Sequence, residues 1–301
     1  MKARVLRMSE MAPAHTMAIV TSSYAGDIER FALLCETMDH FVSGHTRHLV
    51  LVASKDVGLF KRFAGPKREI IDEADLLPYW LRRISDPLSK FKRDVWLSPV
   101  TFPMRGWHVQ QLRRMAISQH ILEDAYLSCD SDVAFVAPYD VGINWKNGLL
   151  RLYRLDNALK NETVFEHQTW SANAGKCLGL KGPVGRHDYI STIIQWKSAT
   201  VRSMLEHIQN VSGRHWVSSI AAGRSFSECI IYGRYADEVL KAEGIYHDSM
   251  PSCHVYWNGP ALDKAGLMDF IAKRQPTQVA IGLQSFVGTP VADIRAALMQ
   301  L

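Results

Sequence analysis

Residues Met17 to Ser23, MAIVTSS, form an apolar, β-branched run. After the polar link Tyr24-Ala25-Gly26-Asp27, IERFALLCETMDHF places Phe31, Leu34, Cys35, Met38 and Phe41 at helical spacing. Strand, loop and helix therefore open the chain. HLVLVAS (48–54) repeats the strand pattern, Lys55-Asp56 opens a short helix, and REII (68–71) is a third strand. Three strands with short crossovers predict a parallel sheet. From Leu77 to Pro103 the period is lost in a stretch rich in Pro, Trp and basic residues, which reads as an irregular excursion. A helix follows over 106–124, with Val109, Leu112, Met115, Ala116 and Ile121 on its apolar face, and leads into the strand AYLSC. Later, GLLRLY (148–153) and QVAIGL (278–283) are strands. Residues 187–240 read as mostly helical, with Gly213 and Gly223 as punctuation, and Thr289-Pro290 opens a last helix with Pro at its first position. The expected fold is α/β: a single domain over 17–301, with a mostly parallel central sheet flanked by helices and a helical C-terminal half. Residues 1–16 form a tail.

Composition changes this picture little. With 301 residues the chain is long enough for one large α/β domain. Its 35 Lys and Arg against 30 Asp and Glu make +5, too mild for a nucleic-acid binder but suited to an anionic ligand. Five cysteines without a CxxC spacing argue against a disulfide framework and a structural zinc site, and favour a reducing compartment. No stretch has the length of a signal sequence or a membrane span, so a soluble, cytoplasmic protein is expected.

The candidate chemistry lies in AYLSCDSDVAFV. Side chains two apart on an extended segment share a side, so Asp130 and Asp132 converge beyond the strand end, where open parallel sheets bind ligands. Two carboxylates are too few to cage calcium. They suit Mg2+ or Mn2+ completed by water and phosphate oxygens. The ligand expected is a nucleoside diphosphate carrying a group to be transferred.

CDSDVAFV after a long helix, together with AIVTSSYAGDIERF, QQLRRMAIS, HDYISTIIQW and FSECIIYGRYAD, resembles a bacterial family of nucleotide-diphospho-sugar glycosyltransferases of the A-type fold. The resemblance covers roughly residues 17–256. It implies a nucleotide- and metal-binding half over 17–140 and an acceptor-binding half with a C-terminal helix over 141–301. It implies that Thr21, Ser22, Ser23 and Tyr24 hold base and ribose, with Tyr24 stacking on the base, and that Gln111 and Arg114 reach ribose or diphosphate. Arg113 and Arg114 are adjacent, so at most one is expected to face inward. Asp132 would bind the metal with help from Asp130, and a late histidine, His254 or else His247, would add a ligand. A carboxylate base for the acceptor would be Glu228 or Asp188. The bland roles are a charge at a helix N-terminus for Glu228 and a helix cap for Asp188, since Tyr189, Ile193 and Trp196 follow it at helical spacing.

The implied activity is transfer of a sugar from a nucleoside-diphosphate sugar to a hydroxyl of a carbohydrate or lipid-linked acceptor, in surface polysaccharide or glycolipid synthesis. Two rivals remain. Asp-x-Asp-Val after an apolar strand is also the nucleophile motif of haloacid-dehalogenase-type phosphatases, although here it stands late in the chain. A non-catalytic carbohydrate-binding module of the same fold is the other. The basic and aromatic residues between Leu77 and Pro103 read either as a packed loop or as a site of weak peripheral membrane association.

Overall fold

A computed structural model describes residues 15–160, 165–182 and 184–300, so most of the 1–16 tail lies outside the described residues. In chain order the elements that matter are β1 (Met17–Ser22), α1 (Ile28–Phe41), β2 (His48–Val52), β3 (Arg68–Asp72), β4 (Arg82–Ser85), β5 (Asp94–Leu97), β6 (Met104–Arg105), α2 (Gly106–Ala116), β7 (Ala125–Cys129) and β8 (Val133–Phe135). The second half adds β9 (Leu149–Tyr153), α3 (Phe165–Cys177), β10 (Ile193–Lys197), α4 (Ser198–Ser212), α5 (Trp216–Ala221), α6 (Glu228–Arg234), β11 (Ile245–Asp248), β12 (Cys253–Tyr256), α7 (Lys264–Ala272), β13 (Ala280–Leu283) and α8 (Val291–Leu298).

The central sheet has the order β10-β7-β1-β2-β3. Four of its strands are parallel, and β10 runs antiparallel at the edge beside β7. Strand alternation sorts the side chains onto two cores. Ala18, Val20, Leu49, Leu51 and Tyr126 pack with Val109, Leu112 and Met115 of α2. Met17, Ile19, Val50, Leu127 and Cys129 pack with Phe31, Leu34 and Met38 of α1. Every residue of β1 and β7 is buried, which is why these strands are mostly apolar and lack a polar-apolar alternation.

Four expectations are corrected. Residues 193–197 form a strand, not a helix: Ile193 enters one core while Ile194 and Trp196 enter the other, and the helical spacing of Tyr189, Ile193 and Trp196 is incidental. The excursion is ordered, with β4, β5 and β6 forming an antiparallel sheet. The helix begun at Gly106 stops at Ala116, and Ile117–Gln119 tightens into a 3-10 turn. There Arg202 donates Nη1 to the carbonyls of Ser118 at 2.8 Å and Ile121 at 3.3 Å, so the early stop leaves those acceptors satisfied. Finally, Pro290 sits one position earlier than expected, before the first turn of α8, and Thr289 accepts from the Leu262 amide at 3.0 Å rather than capping that helix.

The two halves of the chain interlock. β10 completes the central sheet, and β13 lies between β12 and β8. The Leu283 amide donates to the Asp132 carbonyl at 3.2 Å, so the late strand helps to fix the turn that carries the aspartate pair.

Candidate functional site

Asp130 follows Tyr126 and Ser128 in the alternation of β7 and therefore turns toward α2. Gln110 Nε2 donates to its Oδ1 at 3.3 Å, and the Arg114 guanidinium pairs with the same oxygen. Arg114 Nη1 also donates to Glu228 Oε1 at 2.9 Å, so one buried cation joins the strand end to the first turn of α6. The backbone of Arg114 is held as well, because Tyr126 donates its hydroxyl to the Arg114 carbonyl at 2.9 Å. Burial opposes charge on Arg114, but Asp130 and Glu228 outweigh it and raise its pKa. Burial raises the Glu228 pKa, against the pull of Arg114.

Asp132 lies in the turn between β7 and β8 and is half-buried. Desolvation, with Asp130 and Asp27 adding repulsion, lifts its pKa to about 7, and its Oδ1 is a buried acceptor with no partner among the described residues. Asp27 itself is pushed upward by burial, although Ser131 donates to it at 3.2 Å and Tyr24 also bonds to it. Ser22, Ser23 and Ser128 carry buried hydroxyls without partners among the described residues. Two of these carboxyls, Asp132 and Asp27, are thus held in surroundings that disfavour their charge, and Asp132 also carries the orphaned oxygen. If a divalent ion binds here, Asp132 and Asp130 are the groups that would hold it, with the remaining ligands coming from outside the chain.

The other predicted residues are distributed unevenly. Thr21 faces inward and shares its hydroxyl with His48 Nε2 at 3.0 Å and Cys129 Sγ at 3.3 Å, leaving nothing for a ribose. Tyr24 is half-exposed, and a Cβ on Gly26 would meet its ring at 2.4 Å, so glycine is what lets the ring lie over the loop. Gln111 accepts the Glu228 amide at 3.0 Å and acts as a tie between α2 and α6. Both adjacent arginines are buried, against the expectation that one faces solvent: Arg113 pairs with Glu73 on the side of β5, where Trp96 Nε1 also donates to Glu73 at 3.2 Å.

His254 is not brought to the aspartates. It stacks on Phe270 of α7 with ring centroids 4.3 Å apart, and its neighbour Cys253, on the opposite face of β12, is the one that belongs to the core beneath β7. Among the described residues, no group of three or more His, Cys, Asp or Glu is arranged to hold a metal. His247 is engaged elsewhere, with Nε2 2.7 Å from Asp237 Oδ1 in a cluster with Arg154 and Tyr189. Asp188 does not cap a helix. Its Oδ1 accepts the Ile190 amide at 3.0 Å, and its Oδ2 lies 2.7 Å from His167 Nδ1.

His167 and Asp27 were missed in the sequence. Asp27 stands within the β1–α1 loop, where an acid near the strand end is a usable signal. His167 had none, since its partner lies 21 residues away across an irregular segment. Rings lead onward from it. His167 stacks on Trp170 at 4.9 Å, Trp170 lies 5.5 Å from Trp107, and His108 next along α2 lies 5.4 Å from Phe226. Phe102, Met104, His108, Arg224 and Phe226 line a cavity of about 200 Å3. It opens at the first turn of α2, the helix that carries Gln110 and Arg114.

Residues 13–297 match the model of a family of unknown function, DUF6492, and the chain belongs to that family. No curated protein matches the chain.

Proposed function

We propose that this protein is a metal-dependent glycosyltransferase that moves a sugar from a nucleoside-diphosphate sugar to a hydroxyl of a carbohydrate or lipid-linked acceptor in the cytoplasm. The observation that carries the reading is the Asp132 carboxylate: half-buried, with a buried Oδ1 that has no hydrogen-bond partner among the described residues, repelled by Asp130 and Asp27, and following a strand at the carboxyl end of a parallel sheet. When bound there, a divalent ion supplies charge stabilisation for a departing diphosphate. The chain's own residues do the rest. Arg114 holds Asp130 against α2, and half-exposed Tyr24 offers a face to a base.

We assign the role of acceptor base to His167 rather than to Glu228 or Asp188. Glu228 is buried and committed to Arg114, so it acts as a positioning residue for Arg114 and, through it, Asp130. His167 is partly exposed, and Asp188 occupies its Nδ1, which leaves Nε2 to take a proton from an acceptor hydroxyl. Asp188 then serves as the group that orients it. The phosphatase reading would make Asp130 the nucleophile, whose Oδ1 is tied to Arg114 and Gln110; in the transferase reading the same ties leave Asp132 as the principal ligand and Asp130 in a helping role.

The test is thermal stabilisation by UDP-, GDP-, CDP- and ADP-sugars with and without Mn2+. One nucleotide should stabilise the protein only when the metal is present, and Asp132→Asn should abolish that gain. Stabilisation that ignores both the metal and Asp132 would sink the reading.

A further inference from the structure

We propose that the hairpin of β4 and β5 is a membrane-docking element that sets the protein against the anionic surface of a phospholipid bilayer. The inference does not depend on the transferase reading. The segment 77–103 is divided between two environments. Trp96 is buried, Trp80 packs on the core, and Arg83 turns toward Asp94 and Glu73. The opposite face of the hairpin shows Arg82, Ile84 and Leu97 to solvent, and its tip presents Leu88 at 96% exposure and Phe91 at 69%. A packed loop would have hidden the tip; this one hides only its base.

The exposed side chains are held outward by a braced turn. The Leu88 amide donates to the Asp86 carboxylate at 2.9 Å, the Phe91 amide to the Asp86 carbonyl at 3.0 Å, and the Asp86 amide to the Arg93 carbonyl at 2.8 Å. The Arg93 amide donates to Ser89 Oγ at 3.0 Å. Lys90 and Phe91 occupy left-handed backbone, with φ of 53° and 62°, where glycine or asparagine would be comfortable. Lysine and phenylalanine at those positions bring charge and apolar area to the apex.

Charge selects the partner. Arg82, Lys90, Lys92 and Arg93 are exposed, and none forms an ion pair among the described residues. Both acids of the hairpin are already used: Asp86 caps the tip, and Asp94 pairs with Lys55 at 2.6 Å and Arg83 at 3.2 Å. An aliphatic and an aromatic side chain ringed by unpaired cations match a bilayer whose headgroups are anionic and whose interior accepts the apolar tips.

The experiment is co-sedimentation of the full chain with phosphatidylcholine vesicles, with and without phosphatidylglycerol, at low and high salt. The wild type should pellet with the anionic vesicles at low salt and stay in solution with the neutral ones. Lys90→Gln/Lys92→Gln/Arg93→Gln should weaken partitioning by about a hundredfold, at about fivefold per cation. Leu88→Ser/Phe91→Ser should lose binding by a comparable factor. All these side chains are exposed, so unchanged thermal midpoints will show that the fold is intact. The proposal is overturned if the wild type ignores anionic vesicles, or if both variants pellet as the wild type does. It is equally overturned if the tip variants instead abolish self-association in the absence of vesicles, which would assign the hairpin to a contact between copies.

Discussion

Replacing Asp132 by Asn should make the metal-free protein more stable at alkaline pH, even as it removes the proposed metal ligand. In the unfolded chain this carboxyl ionises near 3.8, whereas in the fold desolvation and the neighbouring Asp130 and Asp27 move it to about 7. Between those values the folded state holds a proton that the unfolded state has released, so stability falls as pH rises through that window and stays reduced above it. At about 1.4 kcal/mol for each tenfold change in proton affinity, the cost has a ceiling of about 4 kcal/mol. Asp130 and Asp27 share the repulsion, which brings the expected gain for Asp132→Asn to about 1–3 kcal/mol. For a chain of this size that raises the midpoint by about 2–4 °C per kcal/mol. The assay is urea and thermal unfolding of both proteins, with a chelator present, at pH 8 and near pH 4. The variant should be the more stable at pH 8, with the gap closing in acid. Equal midpoints at pH 8, or a gap that persists in acid, would refute the view that Asp132 is a strained, desolvated carboxylate waiting for a cation.

Glu228→Gln should cost about 3 kcal/mol, because it removes one of the two anions facing a buried guanidinium. Donor affinity should fall with it, as Arg114 shifts toward Asp130; undiminished donor binding would show that Glu228 does not act through Arg114. Gly233→Ala should destabilise by about 1–3 kcal/mol, although alanine normally favours a helix, because its Cβ would meet the buried Tyr189 ring at 2.1 Å. A midpoint equal to or above the wild type in chemical denaturation would count against this packing.

The sequence by itself determined β1, α1, β2, β3 and β7. Each is a local pattern: a strand buried on both faces reads as a mostly apolar run, and α1 shows its helical stripe over about four turns. It also placed Asp130 and Asp132 at a strand end. Tertiary structure decided what those residues meet. Residues 193–197 are a strand because β7 offered an open edge and two cores waited on either side of it, and no local signal carries that information. Arg114 bridges Asp130 and Glu228, and Asp188 finds His167, through contacts spanning 16, 114 and 21 residues. His254 lies away from the aspartates because alternation along β12 turns Cys253 toward the core beneath β7 and His254 toward Phe270. Local periodicity is set by backbone geometry within a few residues, whereas the partner of a charged side chain is set by which elements the cores bring together, and that is decided only when the chain folds.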